Sequence, residues 1–276
     1  GESPCRMEPA TGAADKRQRC DGDEATAPAD VSEFADADIQ RHEREIKEEA
    51  EALPLVGPKA PLDELKAQYA SNSGFLPKIE SLGRRYSAFR RTRPDGNCFY
   101  RAYIYGIFER LVSRPDLFST FLTRAKGTLD YCLGAGYDRI AIEDPWEVFV
   151  SSLESVGAHG ASPAALDELP ADDWSYLVCW ARCCTSAYLK MNAEEFLPYI
   201  SSHASIDAFC AQEVDPMAKD ADHLQIKALS TFFGVPVCVV YLDQSDGDVA
   251  AEHQEGGDAD CLFPAVHLLY RPGHYD

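Results

Sequence analysis

One cysteine of the ten in this 276-residue chain, Cys98, stands where a thiol could act as a nucleophile. The run Pro94-Asp95-Gly96-Asn97 reads as a tight turn, and CFYRAYIYGIFERL, apolar almost all round, begins at Cys98 itself. Asn97 is placed to cap the helix this segment must form, which leaves Cys98 in the first turn. Free N–H groups and the helix dipole at that position favour a thiolate over a thiol. The same N–H groups, with the backbone of Asp95 and Gly96, could line a pocket for a developing oxyanion. Gly96 would let the backbone approach a substrate closely. A thiol that merely packs beneath a turn at a helix start fits these residues as well, so the turn and helix alone do not decide.

The remaining cysteines are scattered or sit inside apolar helical patterns, as Cys179, Cys183 and Cys184 do in LVCWARCCTSAYL. No second Cys or His pair answers that cluster, so small buried hydrophobes explain it better than zinc. Thiols arranged this way, with no secretory leader in view, fit the reducing cytosol or nucleus. No run approaches the roughly 18 apolar residues of a membrane span. With 26 basic against 46 acidic residues the net charge is −20. Such a surface repels phosphate backbones and argues against nucleic-acid binding, while it suits protein partners with basic faces. The length and the 45% hydrophobic share suffice for a packed core without metal or disulfide support. No metal or nucleotide signature is visible, so no cofactor is expected, and a monomer is.

Residues 1–37 mix Glu, Asp, Ala, Pro, Gly and Ser with few large apolar side chains, and are expected to be a disordered acidic segment. Order should begin with a helix over 38–53, capped by Asp38, with Ile39, Ile46, Ala50 and Leu53 as a narrow apolar stripe on a charged cylinder. Either the domain or a partner could cover that stripe. Short helices follow in PLDELKAQYA and FLPKIESLGRRY, then a brief strand in SAFRRT before the turn. Helices are expected near 115–133, 143–156, 172–190, 206–213 and 222–233. GVPVCVVYL (234–242) reads as a buried strand, 243–260 as an Asp- and Gly-rich loop, and AVHLLYRPGHYD as strand, Pro-Gly turn and strand. Helices dominate the first two-thirds and strands the end, which makes the fold class α+β.

RTRPDGNCFYRAYIYGIFERL resembles the nucleophile segment of the ovarian-tumour (OTU) deubiquitinases, in wording nearest to the otubain branch. LLYRPGHYD resembles the segment that carries that family's catalytic histidine. FCAQEVDPMAKDADHLQIKALSTFFGVPVCVVYLD and IESLGRRYSAFRRTRPDGN are similar to otubain stretches as well, so the likeness runs from about 38 to 276. It implies a papain-like OTU cysteine protease domain over 38–276, a helical lobe joined to a small twisted sheet. It implies Cys98 as nucleophile, His274 as general base, Asp276 as the group that orients the imidazole, and Asp95 as an acidic residue of the nucleophile loop. Positions i and i+2 on a strand point the same way, so His274 and Asp276 can face one site. The substrates implied are ubiquitin conjugates, cut at the isopeptide bond between ubiquitin's C-terminal glycine and lysine. Polyubiquitin of the proteasome-targeting linkage is the expected preference, its proximal ubiquitin held by Ile39, Ile46 and Leu53.

Two other readings stay open. Some otubains grip ubiquitin-charged conjugating enzymes and suppress them without their thiol, and a ubiquitin-like modifier could replace ubiquitin. His223, after the acidic Asp220-Ala221-Asp222, is a candidate substrate contact. His267, on an apolar strand, reads as structural, and His42, His159, His203 and His253 read as solvated surface. Family members usually run a few residues past the position of Asp276, and a frayed end there would loosen the carboxylate that orients His274.

Overall fold

The computed structural model describes residues 50–71, 74–158, 164–243, 245, 247–257 and 261–276. All of them fall within one compact unit, 45–276. The segment 1–37, Ile39, Ile46, His42 and His159 lie outside the described residues. Of the expected 38–53 helix, Ala50 and Glu51 are helical, Ala50 buried and Leu53 exposed.

The described chain opens with strand β1 (Val56–Pro61), helices α1 (Asp63–Gln68) and α2 (Leu76–Leu82), and strand β2 (Ala88–Thr92). Next come the helices α3 (Cys98–Ser113), α4 (Pro115–Gly134), α5 (Arg139–Ala158), α6 (Ala164–Asp167), α7 (Ala171–Met191) and α8 (Ala193–Phe196). Helices α9 (Ile206–Phe209) and α10 (His223–Phe233) lead to strands β3 (Val237–Tyr241), β4 (Ala251–Glu255), β5 (Val266–Arg271) and β6 (His274–Tyr275). The class is α+β, as the sequence implied.

Helix α3 is the axis of the helical lobe. Its segment has no polar face to turn to water, so helices and sheet enclose it and Phe99, Tyr100, Tyr103, Ile104 and Phe108 are all buried. Aromatic contacts tie the lobe together, Phe108 to Phe149 at 5.9 Å and Phe121 to Phe233 at 5.8 Å between ring centroids. Gly106 lets α3 lie close against the sheet, because a Cβ there would stand 2.4 Å from a Val266 methyl.

The sheet order is β4-β3-β5-β6, with β3 and β5 parallel and the outer pairs antiparallel. VCVVY is buried along nearly its whole length, as a strand covered on both faces must be. Strands β1 and β2 form a separate antiparallel pair in the register Lys59↔Arg90 and Ala60↔Phe89.

Three elements differ from expectation. Strand β4 occupies the stretch 243–260 expected to be loop; its AEHQE is exposed along most of its length and has no alternation, so only pairing to β3 makes it a strand. Strand β1 carries two prolines, which an edge strand tolerates and a sequence pattern conceals. The helix expected over 206–213 divides into α9 and a π-helical turn, Cys210–Val214.

Candidate active site

Cys98 is buried at the first position of α3. The turn before it is shaped by Asp95, whose carboxylate accepts the Asn97 N–H at 3.0 Å and grips Arg101 through both oxygens, at 3.0 and 2.6 Å. Arg101 lies one turn into the same helix and also donates to the Arg93 carbonyl at 3.2 Å. The nucleophile loop is therefore bolted to the helix it precedes. Asp95 N–H donates to the Arg93 carbonyl at 3.1 Å, so it is engaged inside the loop and is no donor for an oxyanion. The Gly96 and Cys98 N–H groups make no hydrogen bond among the described residues and are the donors left for that purpose.

One expectation for the loop is corrected. Asn97 holds the cap position but its side chain does not cap; Oδ1 accepts from Arg182 at 2.8 Å and from the Ala218 N–H at 2.9 Å. Gly96 is required at φ +72°, and a Cβ there would stand 2.4 Å from the Ala218 carbonyl carbon and oxygen. Its small size thus serves packing against Ala218.

Strand β6 delivers the base. Tyr275 turns into the core against Phe99, 5.6 Å between centroids, and alternation puts His274 and Asp276 on the opposite face. Since Phe99 adjoins Cys98, this contact sets the strand relative to the thiol. His274 Nε2 lies 2.8 Å from Asp276 Oδ1. The other nitrogen, Nδ1, is buried and makes no hydrogen bond among the described residues, and Cys98 helps to stabilise the charged ring. Burial works against the charged imidazole, but Asp276 and Cys98 outweigh it and raise His274 to about 9. Burial also works against the Asp276 carboxylate, and His274, Arg271 and the Thr92 N–H outweigh it to keep its pKa low.

Asp276 is firmly held. Its N–H and carbonyl exchange hydrogen bonds with Leu269 at 2.9 and 2.8 Å. Its carboxylate accepts the Thr92 N–H at 3.1 Å and pairs with Arg271, and its side chain has no exposed surface. A cavity of about 510 Å³ between β2, α3 and β5 reaches Asp276 and Thr92 but neither Cys98 nor His274.

The fold thus brings Asp95, Gly96, Asn97, Cys98, His274 and Asp276 into one region. His223 pairs with Glu255 and Leu53 is exposed; neither touches the Cys98–His274 pair. His267 is structural, its Nδ1 2.8 Å from the Tyr86 hydroxyl and its pKa lowered by burial and by Arg110. The sequence did not reveal Arg182, a buried arginine on α7. It donates to the carbonyls of Val214, Gly96 and Lys219 at 3.0, 2.8 and 2.7 Å, and lies 4.3 Å over the Tyr100 ring. Arg182 within LVCWARCCTSAYL and Arg101 within the α3 run are charges in apolar helices, and that conflict was the available signal.

A cysteine at a helix start, an imidazole beside it and a buried carboxylate behind the imidazole make up the triad of a thiol hydrolase. The Peptidase C65 Otubain family model matches residues 48–276, and the chain belongs to that family. It is 35% identical over 253 residues to the ovarian tumor domain-containing deubiquitinating enzyme 1 of Arabidopsis thaliana, covering 83% of this chain and 82% of that one. It is 33% identical over 247 residues to ubiquitin thioesterase OTUB1 of Homo sapiens, covering 88% and 89%. Among solved structures it is similar to ceOTUB1 in a complex with ubiquitin aldehyde and UBC13~Ub, with a TM-score of 0.78 and 31% identity. That likeness covers 84% of this chain and 96% of the other.

Proposed function

We propose that this chain is a deubiquitinase that hydrolyses the isopeptide bond between ubiquitin's C-terminal glycine and a lysine. The observation that carries this reading is Cys98 at the start of α3, beside an imidazole whose Nε2 is fixed by buried Asp276. The Cys98 proton, held on His274 below its pKa of about 9, leaves the sulfur free to add to the glycine carbonyl. The oxyanion that forms meets the Gly96 and Cys98 N–H groups. His274 then returns the proton to the lysine nitrogen as its bond to carbon breaks, leaving a thioester. Water, deprotonated by His274, cleaves the thioester and frees Cys98. Relatives named as ubiquitin thioesterases support ubiquitin as the modifier. All eight described cysteines are free thiols, which suits a cytosolic or nuclear enzyme.

The test is covalent labelling by ubiquitin with a C-terminal electrophile, together with cleavage of diubiquitin. Labelling should occur at Cys98, and Cys98→Ala should abolish it and cleavage while leaving the fold and ubiquitin binding. Labelling at another cysteine would defeat the assignment, and labelling only by a related modifier would replace ubiquitin in it.

The finer reading is a preference for proteasome-targeting chains, with residues 38–53 holding the proximal ubiquitin. Its support is local: the Leu53 carbonyl accepts from the Arg93 guanidinium, so this segment ends beside the nucleophile loop with the Leu53 side chain exposed. A panel of diubiquitin linkages tests it, and equal rates across the panel would end it.

A second reading is non-catalytic capture of ubiquitin-charged conjugating enzymes. It is favoured by the similar solved structures, complexes in which OTUB1 meets UBC13~Ub or UBCH5B~Ub. Cys98→Ala should retain that inhibition, whereas removal of residues 1–49 should abolish it.

A further inference from the structure

A cluster of potential metal ligands lies apart from the Cys98–His274 pair: His223 at the first position of α10, with His253 and Glu255 on β4. Glu255 Oε1 lies 2.9 Å from His223 Nε2 and 2.5 Å from His253 Nε2, and the three atoms are all within 4.8 Å of one another. Backbone structure sets the ligand positions. His253 and Glu255 are i and i+2 on one strand, on one face, and pair with Val239 and Val237 of β3. His223 is fixed by the capping box of α10, in which the Asp222 carboxylate accepts the His223 N–H at 2.7 Å.

The arrangement fits a cation better than a chance ion pair. One carboxylate oxygen serves two imidazoles through the same ring nitrogen of each. The Glu255 side chain is only 13% exposed while the imidazoles are 54% and 51% exposed. The donors therefore sit at the surface with a fourth position open to water. Metal–nitrogen bonds of about 2.0–2.1 Å in a tetrahedron need donors about 3.3 Å apart, so both nitrogen–oxygen distances need to open by less than an ångström. Two imidazoles with one carboxylate select zinc and its neighbours over magnesium or calcium. Lys227, one turn along α10, is paired with Glu195 at 2.6 Å, and the net charge of −20 draws cations.

We propose that His223, His253 and Glu255 form a surface site for a divalent late-transition cation of the zinc class, joining the start of α10 to β4. The loop that leads into His223 also lays Ala218 and Lys219 against Asn97 and Arg182. A cation that pins His223 therefore stiffens a segment in contact with the nucleophile loop. No sequence pattern pointed to this site, since β4 read as loop.

Cobalt(II) titration of the full chain, followed by calorimetry and visible absorption, tests the site. One ion should bind with the spectrum of nitrogen and oxygen ligands and without a thiolate charge-transfer band. His253→Ala and Glu255→Gln, with folding checked by circular dichroism, should each weaken binding by about 100-fold or more. Zinc should raise the melting temperature of the unsubstituted chain but of neither variant. Absence of binding overturns the proposal. So does binding that both variants retain, or a thiolate band that marks the cysteines as the ligands.

Discussion

Arg182 and Gly96 are joined across 86 positions of sequence by a hydrogen bond of 2.8 Å from the guanidinium to the glycine carbonyl. With the bonds to Asn97 and Lys219, this lets one buried cation hold both sides of the contact between the nucleophile loop and the loop before α10. The planar guanidinium also covers Tyr100 on α3, a fit that a lysine cannot reproduce.

Arg182→Lys should therefore lower stability by roughly 3–5 kcal/mol, since acceptors built for a fork are left unpaired. At temperatures where the variant remains folded, reaction with a ubiquitin electrophile should be about 10²-fold slower, because Gly96 and Cys98 lose their placement. Stopped-flow labelling beside urea denaturation checks this. A stability loss with unchanged labelling would confine Arg182 to the core.

The carboxylate behind the base should matter less than the base. His274 moves the proton, a role worth roughly 10²–10⁴ in rate, whereas Asp276 orients it. Asp276→Asn should thus reduce diubiquitin turnover less than His274→Ala. The asparagine still offers an acceptor to Thr92, which makes it a gentler probe than alanine. Equal and complete losses, with both variants folded, would mean that Asp276 does more than orient.

What the sequence disclosed and what it hid have physical reasons. Cys98 and Gly96 were legible as a helix start behind a tight turn, whereas the roles of Asp95, His274 and Asp276 were legible only through the likeness of their segments to the otubain branch. Arg182, Thr92 and Ala218 were hidden because they reach the site across long separations in sequence. Asn97 shows how a local preference loses: a side chain suited to capping instead accepts from Arg182 and Ala218, which reach it from other elements. Strand β4 was missed because an exposed edge strand carries no hydrophobic period. The sheet that bears His274 was legible in β3 and β5, whose apolar runs need burial.

Protonation of His274 makes stability depend on pH in a definite direction. Its folded pKa of about 9 lies above the ordinary 6.5, so the folded state binds the extra proton between those values. The stability this adds is full below about pH 6.5 and is lost as pH rises through about 9. The urea midpoint of the unsubstituted chain, relative to that of His274→Gln, should fall across this window. The comparison cancels the titration of other groups. A difference that stays level from pH 6.5 to 9 would show that Asp276 and Cys98 do not hold the imidazole charged.

The segment before β1 should divide chain cleavage from the chemical step. Removing residues 1–35 should leave diubiquitin cleavage nearly unchanged, because that stretch has little apolar surface to offer. Removing 1–49 takes away Ile39 and Ile46 but keeps the Leu53 carbonyl, to which Arg93 is bonded beside the nucleophile loop. Removal through Leu53 would strip that acceptor and disturb the site itself, so the shorter deletion is the cleaner one. It should slow chain cleavage far more than reaction with a single ubiquitin electrophile, which needs only Cys98 and the distal ubiquitin. Burying one isoleucine is worth roughly 1.5–3 kcal/mol, so Ile46→Glu should reproduce much of the effect. Chain cleavage, electrophile labelling and a thermal melt on the same variants separate binding from stability. If both reactions slow alike at unchanged stability, these residues do not hold a proximal ubiquitin, and the linkage preference built on them goes with it.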